Sequence, residues 1–368
     1  MARVVPPIEI DFETGNCVET LEAKVAAIAE KLRSIRNPWT GNKRKLLVDI
    51  FRTIDNEGIE YDSFLDLFAG SSVVGITAKK LGKRVVSNDL MTFSYLSCLS
   101  FVESDGVSLS IDEQKYLFEN RSGDAGRFVR DRYAGIRFTE LEAEFLDNFR
   151  RNLIDLFGTE VVGNEKSAHA LVHVLHHVME CCFVGGRLNK GQVLADLEHR
   201  LQHARNRGQQ MTFRNIFWTN VAESNGQQNR AYNLDAIRLL EEVRPDVQVG
   251  YIDPPYGGSQ SDYSFMYSFF EEYIHQSPLD SLPHIQSCNK FSGASDYYKH
   301  FDLLLSSSSY IPVLVISYND SSWASIDDIA KVVSKHRRDV RLHTVEYDYK
   351  YRKQASDEQS KEYLIVAR

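Results

Sequence analysis

The stretch from Phe64 to Asp89 constrains the fold of this chain more than any other. It reads FLDLF, then AGSS, then VVGITAKKLG, then RVVSNDL. The short apolar run at 64–68 predicts a strand, and AGSS predicts a turn. Residues 73–82 have helical spacing and close on Gly82, and 84–90 predict a second strand ending in an acid. Strand, glycine turn, helix, strand, acid is the opening of a doubly wound α/β sheet. Gly70 lets the backbone approach a ligand closely, and the helix after it offers free amide donors. Asp89 stands where such folds place an acceptor for ribose hydroxyls.

The alternation then stops and returns later. From Thr92 to about Asn215 the chain reads mainly helical, broken near 121–127 (RSGDAGR) and 183–192 (FVGGRLNKGQ). After it come a helix at about 232–243 and the strands VQVGYI (247–252) and IPVLVIS (311–317). TVEYDYKYRK and KEYLIVAR read as two strands joined by a polar loop, a hairpin at the sheet edge. Upstream, 17–36 has amphipathic helical spacing that Asn37-Pro38 should end, and 43–54 reads as a second helix. A chain of 368 residues suits one core with one sizeable insertion. The expected division is an N-terminal helical extension at 1–36, a core from 37–104 and 216–368, and an inserted, mostly helical domain at 105–215.

The sharpest chemical signal is Asp253-Pro254-Pro255-Tyr256, directly after the strand VQVGYI. Strand ends are where α/β sheets hold ligands. An aromatic amine is a weak nucleophile because its lone pair is delocalised into the ring. A carboxylate and a carbonyl oxygen that accept from its two N–H groups favour the geometry that frees the pair. Asp253 supplies the carboxylate and Pro254 the carbonyl, both fixed by a rigid Pro-Pro backbone. Tyr256 would stack on the base, worth roughly 1–3 kcal/mol. A further segment, Trp39-Thr40-Gly41-Asn42-Lys43, leads into RKLLVDIF and suits a charged amino-acid moiety.

WTGNKRKLL, FLDLFAGSS, SNDL, DPPY and KEYLIVAR, in this order, resemble the Dam-like α class of DNA adenine-N6 methyltransferases across about 40–368. The resemblance implies a Rossmann-like methyltransferase core with an inserted target recognition domain. It implies S-adenosylmethionine as methyl donor and direct transfer to adenine in double-stranded DNA. Trp39 and Lys43 would meet the methionine end of the cofactor, and Asp66, Phe68 and Gly70 would line its pocket. Asp89 would hold the ribose and Asp235 the cofactor adenine, while Asp253, Pro254, Pro255 and Tyr256 would be catalytic. Ser72 stands where the family pattern often has glycine. Adenine must leave the duplex to reach DPPY, which costs a few kcal/mol. Contacts in the insertion would offset this, with Arg187, Asn189, Lys190, Arg200, Arg205 and Arg207 as candidates. RNA adenine, cytosine amines and protein glutamine amides are rival substrates of similar tetrads, and Asp253 with the large insertion favours DNA adenine. A catalytically idle DNA-binding protein on the same scaffold is a further rival.

A formal net charge of −8 does not itself suggest a polyanionic partner. Basic residues are nevertheless concentrated between Arg200 and Arg214 and again between Lys331 and Lys353, and such patches suffice for nucleic acid. His169, His173, His176 and His177 fall along one helical face. With no cysteine or acid at ligand spacing, the expectation is an interfacial or packed face and no metal. The five cysteines form no CxxC pair and read as reduced thiols. No apolar run approaches a bilayer span, and no signal peptide is evident, so a cytoplasmic, prokaryotic or phage-encoded protein is expected. A cognate restriction endonuclease or other defence protein is the expected partner unless the enzyme is an orphan, and the oligomer expected is a monomer or weak dimer.

Overall fold

The computed structural model describes residues 9–10, 17–18, 20–33, 43–119, 126–182, 223–255, 267–285, 294–319, 324–347 and 360–368. Strands β1 (Glu9–Ile10) and β2 (Cys17–Val18) form a small antiparallel pair. The other seven are β3 (Ser63–Asp66), β4 (Arg84–Asn88), β5 (Arg230–Tyr232), β6 (Val249–Ile252), β7 (Val313–Asn319), β8 (Val340–Tyr347) and β9 (Ser360–Ala367). They make one sheet in the order β5-β4-β3-β6-β7-β9-β8. The first five run parallel, and β9 runs antiparallel to both β7 and β8. From β3 the chain first builds outward through β4 and β5, then returns to place β6 on the other side. That reversal is the topological switch point where such sheets bind ligands.

Sequence explains the centre of the sheet. Every residue of β3 and β6 is buried, as expected of parallel strands covered on both faces. Helix α2 (Leu47–Asn56) buries Leu47, Ile50, Phe51 and Ile54 on one stripe, and α1 (Leu21–Arg33) packs on it through Val25 and Leu32. Helix α3 (Val73–Lys80) follows the glycine turn, and α4 (Thr92–Cys98) follows Asp89 and continues as a π-helical turn over Leu99–Glu103.

The helical block contains α5 (Ile111–Phe118), α6 (Phe128–Tyr133), α7 (Glu140–Phe157) and α8 (Glu165–Cys182). Capping boxes start two of these helices, Ser110 with Glu113 and Thr139 with Glu142. Phe149, Leu153, Leu171 and Leu175 share one hydrophobic cluster with Phe64 and Val85 of the sheet. Helices α5 to α8 thus pack against the core through one shared cluster.

Most expected elements are present with shifted ends. The helix expected at 232–243 starts later, at Ala236, because β5 occupies Arg230–Tyr232. The C-terminal hairpin forms one edge of the sheet as expected, with β9 beside β7 and β8 outermost. The four-histidine face was expected to pack, and His169, His173 and His176 are buried against Phe93 and Phe101. His169 Nδ1 pairs with Ser100 Oγ at 2.8 Å, and the Nε2 atoms of His169 and His173 meet at 3.1 Å.

Candidate active site

Three strand ends build the site. Asp66 ends β3, Asp89 directly follows β4, and Asp253-Pro254-Pro255 directly follow β6. Cross-strand bonds continue beyond the ladder and hold these ends level. Leu67 N–H donates to the Tyr251 carbonyl at 3.1 Å, Ala69 N–H to the Asn88 carbonyl at 3.0 Å, and Asp89 N–H to the Tyr232 carbonyl at 3.2 Å.

The glycine turn wraps around the first two acids. Gly70 adopts φ 48° and Ser72 φ 59°, both left-handed. That geometry is free for glycine and costs other residues roughly 1–2 kcal/mol, which explains the glycine usual at the Ser72 position. The Ser72 hydroxyl lies 3.2 Å from the sulfur of buried Cys98. Gly75 N–H donates to Asp66 Oδ2 at 2.9 Å. Asp89 accepts through Oδ2 from Gly70 N–H at 2.8 Å and through Oδ1 from Met91 N–H at 2.9 Å.

Electrostatics separate these groups. Burial pushes the Asp66 carboxyl up to about 7 against the pull of the Gly75 N–H, and Asp253 and Asp89 push the same way. Burial raises Asp89 to about 6, opposed by the Gly70 and Met91 N–H groups. Lys43 sits in a 3-10 turn (Lys43–Leu46) ahead of α2, buried, with its Nζ 3.0 Å from Asp253 Oδ2. Burial works against its charge, but Asp253, Glu362 and Tyr251 outweigh it and hold the ammonium above the usual lysine range. Glu362, on β9, is buried and accepts from Asn319 Nδ2 at 2.9 Å.

Most of the expected site residues that lie in described segments converge at one edge of the sheet. Asp66, Gly70, Asp89, Asp253 and Lys43 come together, and Phe68 is half-buried in the loop after Asp66. Pro254 is buried and Pro255 half-buried directly after Asp253. Lys43, expected to meet the methionine end of the cofactor, has its ammonium 3.0 Å from Asp253 Oδ2. Asp235 caps the helix that follows it, accepting from Ile237 and Arg238 N–H at 3.0 and 3.3 Å. Trp39, Tyr256, Arg187, Asn189, Lys190, Arg200, Arg205 and Arg207 lie outside the described residues. Two arginines of the second basic concentration make internal contacts, and its residues 350–353 lie outside the described residues. Buried Arg337 donates to the carbonyls of Ile311 and Ser308, and Arg341 pairs with Glu57 at 2.9 Å and Asp339 at 3.2 Å. Sequence reasoning missed Glu362, whose signal was an acid within the otherwise apolar alternation of KEYLIVAR.

The donor set fits S-adenosylmethionine. Carboxylates stand where ribose hydroxyls need acceptors, and a Cβ built on Gly70 would meet nothing within 4 Å, so the turn leaves room for a ligand against its backbone. The fold and site define a Rossmann-like, S-adenosylmethionine-dependent methyltransferase. The family model of D12 class N6 adenine-specific DNA methyltransferases matches residues 39–182. Among curated relatives, type II methyltransferase M2.HphI of Haemophilus parahaemolyticus is 23% identical over 89% of this chain and 96% of its own. M.FokI of Planomicrobium okeanokoites is 25% identical over 87% of this chain and 51% of its own, and modification methylase LlaI of Lactococcus lactis subsp. lactis 27% over 84% and 50%. The chain thus spans nearly all of the first and about half of the other two. The chain is similar to the D12 class of adenine-N6 DNA methyltransferases over residues 39–182 and to these type II methylases over most of its length.

Proposed function

We propose that this enzyme methylates adenine N6 at a specific site in double-stranded DNA as the modification methylase of a type II restriction-modification system. The observation that supports the chemistry best is Asp253 at the end of β6, ion-paired with buried Lys43. The carboxylate accepts one N–H of the extruded adenine and the Pro254 carbonyl the other, and Tyr256 stacks on the ring. S-adenosylmethionine supplies the electrophilic methyl group. Asp66, Phe68 and Gly70 line its pocket, Asp89 accepts from its ribose, Asp235 serves its adenine, and Trp39 with Lys43 would meet its methionine end. The amine proton leaves to solvent and no covalent enzyme intermediate is needed.

The target recognition surface is drawn from 105–215, with Arg187, Asn189, Lys190, Arg200, Arg205 and Arg207 on phosphates and base edges. The division into core and insertion, a monomeric or weakly dimeric state, and work in the cytoplasm beside a cognate endonuclease belong to the same reading. The modification role rests on relatives named as type II or modification methylases. Among the described residues no helix is long and apolar enough to cross a membrane. The test is transfer of labelled methyl from the cofactor to unmethylated genomic DNA, wild type beside Asp253→Ala. Label in N6-methyladenine that vanishes in the variant supports the assignment. No label in DNA despite cofactor binding overturns it in favour of RNA or protein amides.

A further inference from the structure

Beside the cofactor edge lies a cluster that the methyl-transfer chemistry does not use. Glu271 and His275 are one turn apart on the helix Ser268–His275, and His284 follows the short 3-10 turn Leu279–Ser281. Glu271 is fully buried. Its Oε1 accepts from Phe93 N–H at 2.9 Å, while Oε2 faces His284 Nε2 at 2.8 Å and His275 Nε2 at 3.8 Å. Among the described residues no lysine or arginine pairs with this carboxylate. A buried carboxylate facing two imidazole nitrogens is a donor set that a bound cation would satisfy.

We propose that Glu271, His275 and His284 hold a structural zinc ion. The three donor atoms lie within 4.8 Å of one another. A zinc bound at about 2.0–2.2 Å holds its ligands roughly 3.3 Å apart, so small rotations of the two rings complete the site. One carboxylate oxygen and two imidazole nitrogens are a donor set that zinc favours over magnesium or calcium. His275 Nε2 meets the buried Thr92 hydroxyl at 2.9 Å, a contact the ring would give up on turning to zinc, and a water would complete the coordination. Bound there, zinc ties the Ser268–His275 helix to the segment carrying His284. Through the Phe93 N–H on Glu271, it also ties both to the start of α4, just beyond Asp89.

The test uses the full chain, stripped by chelator and dialysed against zinc, with metal counted by elemental analysis and cobalt(II) as spectroscopic probe. Expected are about one zinc per chain, visible cobalt bands of a four- or five-coordinate N/O site, and a melting temperature that rises with zinc. His275→Ala and His284→Ala should each weaken zinc binding by more than roughly tenfold. Glu271→Gln should do the same, and circular dichroism of each variant checks the fold. No stoichiometric zinc in the folded wild type, or zinc retained equally by both histidine variants, overturns the proposal. The cluster is then a hydrogen-bonded Glu–His pair.

Discussion

Lys43 Nζ lies 3.0 Å from Asp253 Oδ2, an ion pair that joins the segment before α2 to the end of β6 across the cofactor edge. Removing one partner of a buried pair leaves the other uncompensated. Lys43→Met should therefore act on the adenine acceptor more than on cofactor binding. The expected result is a fall of roughly a hundredfold in kcat with the cofactor KM changed less than about threefold. Steady-state kinetics with a duplex substrate checks it. A KM effect with kcat preserved would instead put the ammonium on the methionine carboxylate.

Cofactor affinity should depend on pH through Asp89. Burial raises its carboxyl to about 6, so it is ionised above that value and gains a proton below it. Protonation weakens its acceptance from ribose hydroxyls, so affinity for S-adenosylmethionine should decline as pH falls through about 6. Calorimetric titration at about pH 7.5 and about pH 5.5 measures this. Asp89→Asn should bind more weakly at both values and shrink the difference, the remainder coming from Asp66, whose carboxyl burial raises to about 7.

Gly75 has no spare room. A Cβ there would lie 2.9 Å from Ser87 Oγ and 3.2 Å from Asp66 Oδ2. Gly75→Ala should displace the Asp66 carboxylate and cost roughly 1–2 kcal/mol, even after the helix propensity that alanine gains. Urea unfolding should show the loss of stability, and cofactor titration should show a parallel loss of affinity. An unchanged affinity would remove Asp66 from the cofactor pocket.

The histidine face should make the fold acid-sensitive. Burial holds His169 down to about 4 and His176 to about 3. A histidine with a depressed folded value stabilises the protein fully only above its unfolded value. As pH falls below about 6.5 the unfolded chain takes up protons that the folded chain refuses, and stability drops. His176→Leu should shrink the stability difference between about pH 7.5 and about pH 5 by roughly 1–2 kcal/mol. Urea midpoints at the two values decide it, and an undiminished difference would place the acid sensitivity elsewhere.

The parts of the fold readable in the sequence were those whose signal is local. β3, the glycine turn, α3 and β4 announce themselves through an apolar run, a turn and a helical period. DPPY stands out because two prolines after a buried strand have few other uses. β5 did not stand out, because Arg230–Tyr232 is three residues long and takes its strand geometry from pairing with β4. The insertion of β9 between β7 and β8 depends on pairing between distant segments, which no short window records. Lys43 was picked out as a site residue from its loop, but its partner lies 210 positions away on another strand end, so its role needed the fold.

Glu362 reaches the surroundings of Lys43 from β9, and β9 is paired along both of its sides. A strand held by two neighbours can slide only in whole residues, and each step turns every side chain to the opposite face. The ladder therefore works as a ruler with one admissible reading. A single-residue deletion just after Glu362, with the buried Leu364–Ala367 stretch kept in register, would leave a strand that still pairs, yet point this acid away from the lysine it faces. The enzyme would keep its sheet and lose its charge balance at the centre, a lesion that folding assays alone would pass over.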